Sequence, residues 1–138
     1  MTPPQPLIEP PRQADWLAPY WQGIQMRELR LPRCSACGQW EWYPLVTGPS
    51  GCPGAHYIWA AVSGLATVFT FTHVCRPLIR GVVEPYWVGL VIPDDAPGCR
   101  VAARLTAAGT EVKIGSRARL MFAPAGTQHY PFYAVEPE

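Results

Sequence analysis

Four residues in the middle of the chain have the types and the spacing of a metal site. Cys34 and Cys37 are separated by two residues and followed by Gly38. In such a turn, successive backbone N–H groups point at the first sulfur, which lowers the thiol pKa and favours metal binding. Cys52 and His56 follow a turn-rich segment and supply two further donors. We therefore predict a zinc ribbon in which these four side chains hold one tetrahedral ion.

This zinc site has two competing interpretations. The first is a loop without metal that the neighbouring tryptophans stabilise. The second is a catalytic zinc with three protein ligands and a bound water, for which the local sequence offers only Glu41 as a general base. We favour a structural zinc, because a closed site supplies folding energy to a small, proline-rich module that has little core of its own.

The segment before the cysteines is predicted to be a short aromatic helix. Its apolar residues recur at helical spacing from Trp16 to Ile24, and Asp15 is a candidate N-cap. We predict a helix from Asp15 or Ala18 to about Met26. Its aromatic side chains are too large for a lone short helix to bury, so they must pack against another part of the protein.

Alternating apolar residues predict β-strands in the rest of the chain. Short strands at 29–31 and 40–43 would form a hairpin around the first cysteine turn. Five further strands are predicted at 64–72, 86–92, 99–105, 117–122 and 132–135. Five strands with a break between the third and the fourth are typical of an antiparallel OB-type barrel.

The predicted fold class is therefore mainly β, and we divide the chain into four parts. Residues 1–13 are expected to form an extended or disordered tail, because they hold five prolines and little periodic apolar pattern. The parts that follow are the aromatic helix with its lead-in strand (14–31), the zinc ribbon (32–59) and the OB-type barrel (60–138).

Composition and charge argue against several classes of function. The formal net charge is +1 and charged residues make up 15% of the chain, so attraction to nucleic acid or to an anionic membrane is weak. No apolar run approaches the roughly 18 residues of a membrane span, and the start shows no signal-peptide pattern, so we expect a soluble, cytoplasmic protein. The chain also lacks the common nucleophile-elbow, phosphate-loop and zinc-protease motifs, so we expect no catalysis by the chain alone.

Several short motifs, taken in order, resemble one protein family. They are Tyr20-Trp21, Leu29-x-Leu31-Pro-Arg-Cys34-x-x-Cys37-Gly38, Cys52-Pro53, Trp59-x-x-Val62-Ser63-Gly64, Pro85-Tyr86-Trp87, Ile114-Gly115 and Pro131-Phe132. From Ala14 onward the chain resembles the family catalogued as domain of unknown function thirty-five, whose members pair a rubredoxin-like zinc ribbon with a C-terminal OB-fold. The chain departs from the family at Ala55, where the family usually has the fourth cysteine. Either His56 replaces that ligand, or the site no longer binds metal.

The resemblance implies an accessory subunit rather than a free-standing enzyme. Family members accompany thiolase-fold enzymes, among them thiolases, acyltransferases and lipid-transfer-type aldolases that act on acyl-CoA, and some accompany enoyl-CoA hydratase-type domains. We therefore expect a hetero-oligomer in which this chain docks on such a partner, stabilises it and helps to shape its acyl-CoA channel, as in lipid or steroid degradation. The acyl group, the reaction, the partner and the stoichiometry stay open.

Two groups of side chains are candidates for contact with that partner or with the phosphates of coenzyme A. The aromatic residues of the N-terminal half exceed what a small ribbon can bury, and tryptophan, tyrosine and arginine concentrate at interface hot spots. The arginines before the first cysteine turn could clamp phosphate, pair with a partner or form a solvated face. The candidates are Trp16, Tyr20, Trp21, Trp40, Trp42, Arg27, Arg30 and Arg33.

Two alternative functions are compatible with the sequence. One is a module that binds single-stranded nucleic acid through stacking aromatic residues on the barrel. The candidates for stacking are Phe69, Phe71, Tyr86 and Trp87. We favour core packing for these residues, because basic and acidic residues are nearly balanced in the barrel. The other alternative is an independent zinc enzyme with an open coordination position.

Overall fold

The computed structural model describes residues 15–76 and 85–137. In these residues a short 3-10 helix at Asp15–Leu17 leads into one α-helix, and seven β-strands follow. The elements are α1 (Ala18–Gln25), β1 (Arg30–Cys34), β2 (Tyr57–Ala61), β3 (Leu65–Val74), β4 (Tyr86–Pro93), β5 (Val101–Thr106), β6 (Arg117–Ala125) and β7 (Gln128–Val135). The tail predicted for residues 1–13 lies outside the described residues.

Helix α1 starts at Ala18, one of the two predicted starts, and ends within one residue of the predicted end. The N-cap prediction for Asp15 is wrong, because Leu17 occupies that position and no side chain caps the helix. Pro19 lies in the first turn, where its missing N–H costs no hydrogen bond. At the other end, the Met26 N–H donates to the carbonyls of Gln22 and Gly23 at 3.3 and 2.9 Å. Ile24 points into the protein and is fully buried. No helix among the described residues is long and apolar enough to cross a membrane.

Strand β1 pairs with β2, and not with the segment that directly follows the first cysteine turn. The β1–β2 pairing is antiparallel and covers all five residues of each strand. The prediction of a strand at 40–43 is wrong, because Trp40 forms only an isolated bridge with Arg33. The Glu41 N–H still donates to the Pro32 carbonyl at 3.0 Å. Pro44 has no N–H with which to extend a ladder, so the segment leaves the sheet there.

Strands β3 to β7 form a closed barrel in the order β3-β4-β5-β7-β6. The predicted OB-type barrel is confirmed. The antiparallel expectation is wrong for one pair, because β5 and β7 are parallel, with Arg104 opposite Phe132. Consecutive strands alternate in direction, so β5 and β7 point the same way. A closed barrel with an odd number of strands needs at least one parallel pair, because strict alternation of direction around a ring requires an even number of strands.

Strands β6 and β7 are longer than predicted. Strand β6 extends to Ala125 and β7 begins at Gln128. The connecting turn contains Gly126, whose φ of +62° lies in the left-handed region that favours glycine. Two prolines, Pro124 and Pro131, interrupt the β pattern in the sequence, because proline usually marks a strand end.

One hydrophobic core joins the barrel to the N-terminal elements. Ile24 of α1 and Leu31 of β1 belong to the same buried cluster as Tyr133 of the barrel. The Gln25 side chain adds a reciprocal contact: its Nε2 donates to the His129 carbonyl at 3.4 Å, and its Oε1 accepts the His129 N–H at 3.1 Å. The helix is thus held on the barrel by burial and by hydrogen bonds. The division of the chain into four parts stays a prediction.

Candidate metal centre and its surroundings

The first cysteine turn has the geometry that its spacing predicts. The Ala36 N–H donates to the Cys34 sulfur at 3.4 Å, and the Gly38 N–H donates to the Cys34 carbonyl at 2.8 Å. Gly38 has a φ of +74°, which a residue with a Cβ adopts only at a cost. Strand β1 therefore delivers Cys34 to the site, and Gly38 ends the turn directly after Cys37.

Folding brings three of the four predicted ligands together. The sulfur atoms of Cys34, Cys37 and Cys52 all lie within 4.8 Å of one another. Cys34 is buried, Cys52 is half-buried and Cys37 is exposed. The cluster therefore lies at the surface of the ribbon, with one face open to solvent.

Three sulfurs at these separations fit a single metal ion. A tetrahedral zinc ion with Zn–S bonds of about 2.3 Å places its sulfurs about 3.8 Å apart. The cluster needs to contract by about 1 Å at most to reach that geometry. Thiolate donors select zinc and other thiophilic metals over calcium and magnesium, which prefer oxygen. The cluster is therefore able to hold a metal ion.

Hydrogen bonds shift the pKa values of Cys34 and Cys52 in opposite directions. The pKa of Cys34 is lowered, chiefly because the Cys37 backbone N–H donates to its sulfur. Hydrogen bonds with the Cys34 sulfur and then the Cys37 sulfur raise the pKa of Cys52 to about 11. Cys34 is therefore the thiol that the local backbone prepares as a thiolate, the form that binds metal.

His56 is not a member of the sulfur cluster. Its backbone joins the two turns, because the Ser35 N–H donates to the His56 carbonyl at 2.9 Å and the His56 N–H donates to the Ser35 hydroxyl at 3.1 Å. His56 is exposed and lines a different groove, together with Trp16 and Leu45. The role of His56 as a fourth ligand stays a prediction.

A cavity of about 250 Å³ lies beside the sulfur cluster. Glu41 lines this cavity together with the three cysteines. The Glu41 carboxylate is held in place, because the Tyr57 hydroxyl donates to Oε1 at 2.9 Å and the Ser50 N–H and hydroxyl each donate to Oε2 at 3.3 Å. A fixed carboxylate next to a cluster of thiols makes this cavity favourable for a cation.

The three candidate arginines do not converge on one site. Arg30 forms an ion pair at 3.1 Å with the glutamate two residues before it. The Arg33 guanidinium lies over the Trp40 ring, 5.1 Å from its centre. Arg27 contacts the His129 ring at 3.5 Å. The arginines have three different neighbours, and their contact with a partner or with coenzyme A stays a prediction.

Four of the five candidate aromatic residues are partly buried between the ribbon and the barrel. Tyr20 packs edge-on against Trp21 and beside Trp42, with ring centres 5.0 and 5.2 Å apart. These three residues and Trp40 pack against the main hydrophobic core. Burial also raises the pKa of Tyr20 to about 12. Trp16 differs from the others, because 44% of it is exposed.

An exposed apolar patch on the ribbon was not predicted from the sequence. Leu45 is 47% exposed and Val46 is 73% exposed. Together with Trp16 they line a groove of about 280 Å³, and we call these three residues the ribbon patch. The Leu45 N–H donates to the Tyr57 hydroxyl at 3.0 Å, which anchors the loop. One sequence feature could have indicated this patch: Leu45 and Val46 are adjacent in a loop rich in glycine and proline, where polar residues are usual.

The barrel aromatics are mostly not available for stacking. Phe71 and Trp87 pack against the core, and Tyr86 is buried. Phe69 is the exception, with 40% of it exposed and the Arg100 guanidinium 4.3 Å from the centre of its ring. The expectation of core packing is therefore wrong for Phe69. Ala66 and Val68 are the buried residues of β3, so the alternation of the strand places Phe69 on the outer face.

The fold and the cysteine cluster define a class of protein in which a small two-stranded ribbon with a candidate metal site precedes an OB-type barrel. Residues 59–123 match the family model described as "ChsH2, C-terminal OB-fold domain". Among solved structures, the chain is similar to one described as "Ltp2-ChsH2(DUF35) aldolase", with a TM-score of 0.81 and 20% identity over 91% of this chain and 98% of that chain. It is also similar to a DUF35-family protein of unknown function from Sulfolobus solfataricus, with a TM-score of 0.61 and 14% identity over 85% of this chain and 82% of that chain.

These comparisons confirm the resemblance to the family of domain of unknown function thirty-five. Residues 59–123 match the model of a ChsH2 OB-fold domain, and the two solved structures share the fold of the ribbon and barrel together. No curated protein matches the sequence significantly. At 20% and 14% identity, the likeness to the solved structures establishes the fold, and function is a separate inference.

Proposed function

We propose that this chain is a non-catalytic accessory subunit of an acyl-CoA aldolase complex. The observation that carries the proposal is the likeness to a chain of an Ltp2-ChsH2(DUF35) aldolase, which extends over almost the whole of both chains. In the proposed complex the partner is a thiolase-fold enzyme that holds the catalytic residues. The two chains form a hetero-oligomer, and the substrate class follows from the family that the motifs indicate.

The ribbon patch is the proposed docking surface. Leu45, Val46 and Trp16 expose apolar area around a groove, and a cluster of exposed apolar side chains of this kind marks an interface more often than a free surface. Tryptophan is also enriched among the residues that dominate interface energy. Contact with an apolar surface of the partner would remove this area from water, and that transfer stabilises the complex.

Metal binding would support docking by fixing the loop that carries the patch. Leu45 and Val46 lie between Cys37 and Cys52 in the sequence. A zinc ion that joins those two cysteines therefore ties together both ends of this loop and limits its movement. The proposed role of zinc is structural, and the ribbon is its scaffold.

We further propose that this chain helps to form the partner's acyl-CoA channel. Coenzyme A carries phosphates, which arginine binds through charge-assisted hydrogen bonds. Among the described residues, Arg27 and Arg33 form no ion pair with a carboxylate. They are therefore the arginines proposed to contact phosphate where the partner and this chain meet.

The decisive experiment purifies the tagged chain from its native organism at low and at high salt, with co-purifying proteins identified by mass spectrometry. We expect a thiolase-fold or hydratase-type enzyme at a fixed ratio that resists salt. Val46→Asp places a charge in the ribbon patch and should release the partner. Ile114→Asp is the matched control, because Ile114 is 74% exposed and lies in the barrel sequence, and it should leave binding unchanged.

The isolated partner then provides a second readout. Its aldolase activity and thermal stability should fall when this chain is removed, and both should return when the chain is added back. A partner that keeps full activity and stability without the chain would contradict the accessory role. Recovery of nucleic acid that is lost at high salt, with no protein partner, would favour the nucleic-acid-binding alternative.

A further inference from the structure

The two cysteine turns of the ribbon have equal spacing but different donors. In the first turn, Cys34 is followed three residues later by Cys37, and in the second, Cys52 is followed three residues later by Ala55. The second turn is nevertheless closed by a hydrogen bond from the Ala55 N–H to the Cys52 carbonyl at 3.0 Å. Ala55 therefore occupies the position equivalent to Cys37, with a methyl group in place of a thiol.

The cluster has room for a donor that the described residues do not supply. Cys37 is exposed, and the cavity of about 250 Å³ beside the cluster is also lined by Gln39, Glu41 and Ser50. Apart from the three cysteines, no His, Cys, Asp or Glu in residues 15–76 and 85–137 places a ligand atom in the cluster. Three thiolates fill three corners of a tetrahedral ion, so the fourth corner is accessible from this side.

The charge around the cavity selects the kind of donor. Three thiolates bound to a divalent ion leave a net negative charge on the site. Glu41 adds a further negative charge, and its hydrogen bonds to Ser50 and Tyr57 keep it beside the cluster without making it a member. Like charges repel at this range. Among donors that come from solution, a neutral one is therefore favoured over an anion.

We propose that the ribbon binds zinc through Cys34, Cys37 and Cys52 and leaves the fourth coordination position open to an exchangeable neutral donor. In the isolated chain that donor is water, and a neutral nitrogen base such as imidazole can replace it. His56 is not a ligand in this arrangement. The inference rests on the ribbon itself and holds whether or not the chain is an accessory subunit.

Cobalt substitution tests the proposal, because the visible absorption of Co²⁺ depends on the number and type of its donors. The full-length chain is loaded with Co²⁺ and titrated with imidazole. We expect the absorption bands to shift and the shift to saturate, whereas azide, a small anion that also binds metal through nitrogen, causes a much smaller change. His56→Ala should have the same cobalt spectrum as the wild type and the same response to imidazole.

Ala55→Cys should close the site. The added thiolate is expected to strengthen the sulfur-to-cobalt charge-transfer bands, abolish the response to imidazole and tighten zinc binding in competition with a chelator. Ala55→Ser is the matched control, because it has almost the same size without the sulfur, and it should keep the response to imidazole.

Several results would overturn the proposal. A wild-type spectrum that imidazole does not change would show a closed site, and a response to azide as strong as that to imidazole would refute the charge argument. A changed cobalt spectrum in folded His56→Ala would assign the fourth position to His56. Failure of the folded chain to take up Co²⁺ would also refute the proposal. The wild-type titration decides between open and closed even if a variant does not fold.

Discussion

Leu31 provides a test of whether the ribbon and the barrel unfold as one unit. Its side chain is fully buried and lies on β1 in the ribbon, yet it belongs to the same cluster as Val91 and Tyr133 of the barrel. Leu31→Ala removes roughly three carbon groups, each worth about 0.8 kcal/mol when buried, and the cavity that remains adds a further cost. We expect the free energy of unfolding to fall by about 3 kcal/mol.

Urea unfolding followed by two signals measures this loss. Five of the six tryptophans precede residue 60, so fluorescence reports mainly on the N-terminal elements, whereas far-ultraviolet circular dichroism reports mainly on the barrel strands. With a slope of about 2 kcal/mol per molar urea, the midpoint should fall by about 1.5 M in both signals. Leu45→Ala is the matched control, because Leu45 is 47% exposed and the same truncation there should cost less than about 1 kcal/mol.

We expect the fluorescence and circular dichroism transitions to shift together, and two results would contradict this. If Leu31→Ala shifts the fluorescence transition and leaves the circular dichroism transition at its wild-type midpoint, the barrel does not depend on the shared core. If neither transition moves, the burial of Leu31 does not stabilise the protein as calculated.

Three further predictions concern the barrel and the candidate metal centre. In Gly89→Ala the new Cβ would lie 2.5 Å from a carbonyl oxygen of β3, so stability should fall by roughly 1–3 kcal/mol in thermal melts. Gly98→Ala, with no atom within 4 Å of the added Cβ, should have little effect, and equal melts would refute the crowding argument. Hydrogen bonds from Arg117 lower the pKa of Asp94, so the stability from this pair is complete above about pH 4 and is lost as the pH falls through the lowered pKa. Asp94→Asn should flatten the melting temperature below about pH 4, and an unchanged acid dependence would contradict this. Cys34→Ala should lose bound zinc, measured by elemental analysis, and should lose order in the ribbon, whereas a folded, metal-free variant that still bound a partner would refute a structural zinc.

Local features were predictable where the responsible contacts lie close together in the sequence. The Cys34 turn is an example, because its hydrogen bonds join residues two to four positions apart and Gly38 meets the conformational requirement at its end. Helix α1 and the long strand β3 are others, because residue periodicity and β propensity act within one segment. The motifs also indicated a resemblance to one family, and the comparisons confirm that resemblance.

Strand pairing between segments that are far apart in the sequence could not be predicted from local patterns. The sequence predicted 40–43 as the partner of the strand at 29–31, and the folded chain pairs β1 with β2. The direction of the β5–β7 pair follows from closure of the whole barrel and from no local pattern. The β-bulge that shifts the register of β3 against β4 between residues 68 and 70 was likewise not indicated by the sequence pattern.

Local spacing and periodicity were sufficient to predict the first cysteine turn, the short helix and the OB-type barrel, because that information lies within short segments. The packing of separate segments places Cys52 beside Cys34 and Cys37 and leaves His56 in another groove. It also packs most of the candidate aromatic residues against the main hydrophobic core, so that the exposed patch is Trp16 with Leu45 and Val46. Burial and ligand geometry depend on how separate segments pack against one another, and spacing along the chain does not specify that packing.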